Sequence, residues 1–389
     1  MTQALFWILI IIVFYVYIGY TLVLFIISVL KKLLISKKIM QVEKYEPLVT
    51  IFIAAYNEME VLSEKIDNIQ SLDYPKEKLK ILWITDGSND GSDQYLRNIP
   101  GMEVYHENER KGKIGAMNRG MKFVKTPIVL FCDANNMLVP NAIREVVSAF
   151  SDDAVGCIAG EKQIVKHTSD IAVSSGEGIY WKYESLIKKL ESDVNSTIGA
   201  AGEIFAIRTD LFHEVEPDTV LDDFVISLRI AQEGYKIKYV PGAVAIETSS
   251  ASISEEMKRK IRIAAGCMQT IPRLRTLLNP LKYGFLSFQY WSHKILRWTL
   301  VPFALIILLP LNFYIAFETQ MSIYKILLYL QLIFYSIAFA GYSFRKHSTS
   351  LRVLFIPYYL LVMNAALIIG FFRYFFHHQS VNWEKAVRS

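Results

Sequence analysis

Cysteine is scarce in this sequence. Its three residues, Cys132, Cys157 and Cys267, stand far apart and lack the paired spacing of metal-binding thiols. Neither a zinc site nor a disulfide framework is expected, and three free thiols suit a reducing cytosol. An excess of one charge is missing as well. The formal net charge is only +5, and the basic clusters sit beside hydrophobic segments, where anionic membrane lipids attract them, so no nucleic-acid partner is expected. Internal repeats and low-complexity tracts are absent. The first apolar run has neither the basic start nor the small-residue cleavage site of a signal peptide.

Long apolar runs are abundant. Leu5 to Leu30 is nearly uncharged and exceeds the roughly 20 residues that cross a bilayer's hydrocarbon core. Lys31, Lys32, Lys37 and Lys38 follow at once, and basic flanks favour the cytoplasmic side, so the next domain is expected in the cytosol. Three further apolar stretches, Thr299 to Phe317, Ile323 to Tyr342 and Val353 to Phe372, make four spanning candidates, as in a multi-pass protein of the plasma membrane. Basic residues in the Arg345 to Arg352 loop and in the tail cannot both lie inside if every stretch crosses once. Tyr290 to Trp298 mixes aromatics with cations, a composition suited to the headgroup layer. The expected division is a spanning helix at 1–30, a basic linker at 31–46 and a cytosolic domain at 47–253. Interfacial helices follow at 254–298, about three spans at 299–376 and a tail at 377–389.

From Pro47 to Ile246 strands alternate with helical periods, which predicts an α/β domain with a mostly parallel sheet. The predicted strands are Val49 to Ala55, Leu79 to Thr85, Ile128 to Cys132 and Val155 to Ala159; helices are predicted at Val61 to Gln70 and Asn141 to Phe150. Such sheets bind ligands at the carboxyl ends of their strands. The first strand ends in Tyr56-Asn57-Glu58, and the second runs into Asp86-Gly87-Ser88. Asp-Gly is a common turn, yet two polar strand ends in phase form a nucleotide pocket, with Asp86 accepting bonds from a base or ribose.

The loop Arg110-Lys111-Gly112-Lys113-Ile114-Gly115 opens a helix, and backbone N–H groups beside an ammonium favour phosphate. It lacks P-loop spacing, and a solvated basic loop is the plainer alternative. Asp133-Ala134-Asn135 follows the third strand and offers hard oxygens to a divalent cation, although Asn135 alone equally suits a turn. Asp222-Asp223 opens a helix, where the pair either caps it or supplies a base to an acceptor hydroxyl.

In this order and at these separations the motifs resemble the membrane-bound members of glycosyltransferase family 2, among them cellulose, hyaluronan and poly-N-acetylglucosamine synthases. The resemblance covers about Pro47 to Gln269. It implies the GT-A fold, a UDP-sugar donor, Mg²⁺ or Mn²⁺, and an inverting transfer that builds or extends a glycan. By resemblance Tyr56, Asn57, Glu58 and Asp86 line the donor pocket, Lys113 meets the diphosphate, and Asp133 with Asn135 matches the D-x-D metal motif, Asn standing for the second Asp. Asp222-Asp223 matches the E-D of a T-E-D motif, which implies that Asp223 is the general base. Gly202 and Glu203 correspond to the stretch lining the acceptor sugar. Arg259 and Arg262 correspond to the Q-x-x-R-W motif, with Arg259 in place of Gln and Ile263 in place of Trp.

That departure weakens the expectation of long processive synthesis and keeps open the transfer of one sugar to a polyprenyl or other lipid-linked acceptor. Four helices make a thin channel, so product export calls for a homo-oligomer or a separate export partner.

Overall fold

A computed structural model describes residues 1–34, 45–165, 171–248, 253–344 and 355–376. Lys37, Lys38, the Arg345 to Arg352 loop and the tail beyond 376, which bear on sidedness, lie outside the described residues.

Eight strands form one sheet: β1 Val49–Ala55, β2 Leu79–Asp86, β3 Met102–Glu107, β4 Ile128–Cys132, β5 Met137–Leu138, β6 Val155–Val165, β7 Ile204–Arg208 and β8 Lys236–Thr248. Their order is β3-β2-β1-β4-β7-β6-β8-β5, with β3, β2, β1 and β4 parallel and β7 antiparallel to both neighbours. In β1, Ile51 and Ile53 enter one core cluster and Phe52 the other. Both faces are therefore covered, which is why the strand is a continuous apolar run without alternation. The chain winds outward from β1 to β3, then returns to β4 on the other side of β1. The carboxyl ends of β1 and β4 thus flank the crevice where open α/β sheets bind ligands.

The helices in chain order are α1 Thr2–Phe14, α2 Tyr20–Leu34, α3 Met59–Gln70, α4 Ser92–Arg97, α5 Gly112–Gly120, α6 Ala142–Ala149 and α7 Ile171–Val194. They continue with α8 Asp222–Gln232, α9 Ile253–Arg273, α10 Pro280–Tyr290, α11 Leu296–Thr319, α12 Ser322–Ser343 and α13 Phe355–Phe375. A π-helical turn at Tyr15–Gly19 joins α1 to α2, and a second at Trp291–Ile295 joins α10 to α11. Strand β6 runs past the predicted end at Ala159 as far as Val165, through a register shift between Ala159 and Glu161. Gly160 permits this, since a Cβ there would lie 2.6 Å from the Ala243 carbonyl oxygen.

Among the described residues, four helical segments are long and apolar enough to cross a membrane: Thr2–Leu34, Pro280–Thr319, Ser322–Ser343 and Phe355–Phe375. Their outward side chains, such as Ile11, Phe25, Ile306 and Phe339, form an exposed apolar surface suited to lipid.

Tyr290 to Trp298 differs from the interfacial belt expected of it. Trp291 is exposed, but Ser292, His293 and Arg297 are buried in the protein. A charge among apolar helices needs a partner, and α7 supplies it. Arg297 pairs with Glu184, and His293 stands between Glu184 and Glu191. Fully buried Glu191 also accepts hydrogen bonds from Tyr20 Oη (2.6 Å), Thr197 Oγ1 (3.2 Å) and Ile198 N (3.1 Å). One carboxylate therefore joins the first and second spanning segments to the catalytic-side loop after α7. Glu191→Ala is expected to cost about 3–5 kcal/mol, because it strands buried donors. Thermal unfolding of the detergent-solubilised protein should show a midpoint several degrees lower, and an unchanged midpoint would contradict this role.

Candidate active site

The ends of β1 and β2 are fastened together before any ligand arrives. Asn57, at φ 54°, donates from Nδ2 to Asn89 Oδ1 (3.0 Å), while Asn89 N donates to Asn57 Oδ1 (2.9 Å). Asn57 N donates to Ser88 Oγ, and Met59 N, following Glu58, donates to Asp90 Oδ2. Tyr56 carries the Arg110 guanidinium 3.7 Å above its ring centroid, a stacked cation.

Asp86 is buried, and its Oδ2 accepts from Lys111 N (2.9 Å) and Gly112 N (2.7 Å), while Arg119 stands 3.4 Å from Oδ1. Its carboxylate thus holds the amino-terminal turn of α5, a role that the sequence reading did not anticipate. Arg119 was also missed, because it belongs to no spacing that sets it apart from surface cations, and Arg110 was read only as part of the basic loop.

The held turn delivers Lys113 to the centre of the crevice. Its Nζ lies 2.8 Å from Asp133 Oδ1, just past β4, and 3.5 Å from Asp222 Oδ2, at the start of α8. Burial opposes the ammonium, but Asp133 and Asp222 outweigh it and hold Lys113 protonated well above the usual lysine range. Asp223 Oδ1 accepts from Phe224 N at 2.8 Å within the first turn of α8, whose N-cap is Leu221, so the pair opens the helix without capping it through a side chain. Burial first, and then the Asp222 charge, push the Asp223 carboxyl up to about 7 against the pull of Lys113.

Gly202 brings bare backbone against both groups. A Cβ there would lie 3.3 Å from Asp223 Oδ2 and 3.4 Å from Lys113 Nζ.

A divalent cation fits this donor set. Asp222 Oδ2 is buried without a hydrogen bond among the described residues, and Asp133 adds a second hard oxygen. Asn135 follows in the turn after Asp133. Among the described residues no group of three or more His, Cys, Asp or Glu is placed to hold a metal, so water and a ligand's phosphates would complete the shell.

Two of the predicted acceptor residues, Glu203 and Arg259, meet in one ion cluster. Glu203 pairs with Lys162 at 2.7 Å; Lys162 also contacts Glu247, and Arg259 stands 3.6 Å from Glu247. Burial opposes ionisation of Glu203, yet Lys162 and Arg259 hold it far below the ordinary carboxylate range. Arg262 on α9 is half-buried; burial and the neighbouring Arg259 charge lower its guanidinium pKa against the pull of Asp222, Asp133 and Asp223.

Lys162 and Glu247 were not foreseen, because β6 and β8 extend charged side chains into the interior past their apolar portions. Lys162→Met should take from Glu203 and buried Glu247 the cation they share, a loss of about 3–5 kcal/mol. We expect a clear fall in the thermal midpoint that Lys162→Arg largely restores; equal midpoints for the Met variant and wild type would refute it.

Comparisons with known proteins follow this geometry. A family described as "Glycosyltransferase like family 2" matches residues 47–266. The chain is similar to the poly-beta-1,6-N-acetyl-D-glucosamine synthase of Staphylococcus aureus (strain COL), 26% identical over 237 residues, which cover 58% of this chain and 56% of the relative. It is 23% identical over 250 residues to the synthase of the same name from Staphylococcus epidermidis, covering 62% and 59%. The chain thus spans little more than half the length of these relatives.

Among solved structures, the mannosyltransferase PcManGT from Pyrobaculum calidifontis, in complex with GDP-Man and Mn²⁺, superposes with a TM-score of 0.72. The identity is 20%, and the match covers 97% of this chain and 100% of that one. That likeness establishes the GT-A fold expected from the sequence.

Proposed function

The chain belongs to glycosyltransferase like family 2, and from that membership we propose that it is a membrane-embedded inverting transferase that extends a polysaccharide from a nucleotide sugar. What supports this most is the meeting of Lys113 with Asp133 and Asp222, beside Asp223 and the bare backbone of Gly202. The donor proposed is a UDP-sugar, bound over Tyr56, Asn57, Glu58 and the loop that Asp86 holds. The domain lies on the cytoplasmic side of the plasma membrane in this reading.

In the reaction, the acceptor hydroxyl gives its proton to Asp223 as its oxygen forms a bond to the anomeric carbon. The bond from that carbon to the diphosphate breaks on the opposite face, so one displacement inverts the centre. An upward-shifted carboxyl suits a base that works near neutral pH. Lys113 stays cationic and opposes the charge growing on the departing diphosphate. A divalent cation, Mg²⁺ or Mn²⁺, held by Asp133, Asn135 and Asp222, would add charge neutralisation at the diphosphate. Gly202, Glu203, Arg259 and Arg262 shape the acceptor side.

A second reading, transfer of a single sugar to a lipid-linked acceptor, is favoured by Ile263. It stands where the synthases named above would carry Trp, and it lines a membrane-side cavity.

Release of free nucleotide by purified protein from a panel of UDP-sugars, with GDP-Man included, tests the proposal. Turnover should require Mg²⁺ or Mn²⁺, vanish with EDTA, and fall at least about 100-fold in Asp223→Asn and in Asp133→Asn. Full turnover in Asp223→Asn would remove it as the base. Product length then separates polymer growth from single transfer.

A further inference from the structure

A cavity of about 360 Å³ lies among the first span, α7, α9, the start of α11, and α13. Its wall carries Lys260 and Arg297 and, among the described residues, no carboxylate. Both cations flank one ring: Arg297 Cζ is 5.4 Å and Lys260 Nζ 5.9 Å from the Tyr180 centroid. Ion pairs outside the wall hold them there, Arg297 with Glu184 and Lys260 with Glu256 at 3.2 Å.

The wall that α13 supplies is largely apolar, with Tyr359 and Asn364 as its polar members. Ile356, Leu360, Met363 and Leu367 recur on α13 at spacings that make one helical stripe. One turn beyond Leu367, Gly370 brings α13 against α9, where a Cβ would lie 2.4 Å from Ala264 Cβ.

Both π-helical turns adjoin this cavity. The first contributes Tyr17, the second leads directly into Arg297 and Trp298, and Tyr15 Oη bonds Ser292 Oγ at 2.7 Å to tie the two turns together. Such turns are rare and concentrate at functional sites.

We propose that the cavity binds a lipid phosphate, its headgroup between Lys260 and Arg297 and its hydrocarbon chain along the α13 stripe. This rests on the reading of the chain as a membrane glycosyltransferase and supplies the acceptor's carrier. Helix α9 connects the two places: Lys260, Ile263, Ala264 and Cys267 face the cavity, while Arg262, on the adjoining face, feels the catalytic aspartates. Cations matched to phosphate, with hydrocarbon contacts beside them, select an anionic amphiphile. An uncharged glycan would instead call for several amide and carboxylate partners to its hydroxyls, whereas the described lining offers the amide of Asn364, whose Nδ2 already donates to Tyr17 Oη and Leu360 O.

Binding of radiolabelled farnesyl monophosphate to the full-length protein in detergent, without any sugar donor, tests this separately from catalysis. Binding should saturate and resist competition by farnesol or inorganic phosphate. Met363→Trp, which fills the cavity, and Lys260→Gln should each weaken it at least ten-fold, with Mn²⁺-dependent UDP binding kept as the mark of a folded protein. If Met363→Trp loses UDP binding too, Lys260→Gln decides.

Equal competition by farnesol would show that no headgroup is recognised, and competition by inorganic phosphate would assign the site to a free anion. Displacement by N-acetylglucosamine oligosaccharides would assign it to the glycan. Each of these, like wild-type binding in a folded Lys260→Gln protein, overturns the proposal. Loss of nucleotide release in the Asp223→Asn assay bears on the catalytic reading alone.

Discussion

The architecture depends on a carboxylate buried where the membrane helices meet the catalytic domain. Glu191 receives Tyr20 from the first span, His293 from the π-helical turn before α11, and Thr197 and Ile198 from the segment that leads to Gly202. Glu184, two helical turns earlier, pairs with Arg297. Ions in such surroundings are tolerated only when their partners are fixed. Fixing them sets the angle between the membrane segments and the sheet and, in the proposed reaction, the direction from which an acceptor would reach Asp223.

A similar economy of charge governs the crevice. Lys113 is shared by Asp133 and Asp222, while burial and then the Asp222 charge lift the Asp223 carboxyl toward neutrality against the pull of Lys113. Two adjacent aspartates thereby stand in different surroundings. Asp222 keeps a buried oxygen without a hydrogen bond among the described residues, and Asp223 turns toward the backbone of Gly202. Every side chain in this arrangement is anchored on a strand end or a helix start, which keeps its placement rigid.

Much of the domain was legible in the sequence because its central strands are buried on both faces. Val49–Ala55 and Ile128–Cys132 agree with prediction residue for residue, since uninterrupted apolar runs bounded by polar turns have few alternatives. The strand-end motifs were legible for the same reason: a known strand places the residue after it. What escaped was tertiary. Lys162 fell outside the predicted strand because a charged residue past Ala159 ends an apolar run, and Glu203 and Glu247, remote in sequence, compensate its burial. Tyr290 to Trp298 looked interfacial because its partners, Glu184 and Glu191, stand about a hundred residues earlier. Both π-helical turns were invisible, since a single extra residue in a helix leaves apolar composition unchanged.

Ile263 shows how little change is needed to alter what a site of this kind accepts. On α9 it sits between Arg262, which feels the catalytic aspartates, and Ala264, which packs against Gly370 of α13. An indole at that position would occupy space that now belongs to the cavity, and would offer a flat face to a sugar ring. The smaller aliphatic side chain offers no such face and leaves room for a hydrocarbon chain. A growing glycan gains purchase by stacking as it advances, whereas a lipid carrier gains it by burying its chain in the membrane helices. On the proposed reading, Ile263 therefore moves acceptor affinity from the sugar end toward the membrane end, while the carboxylates and Lys113 keep their geometry.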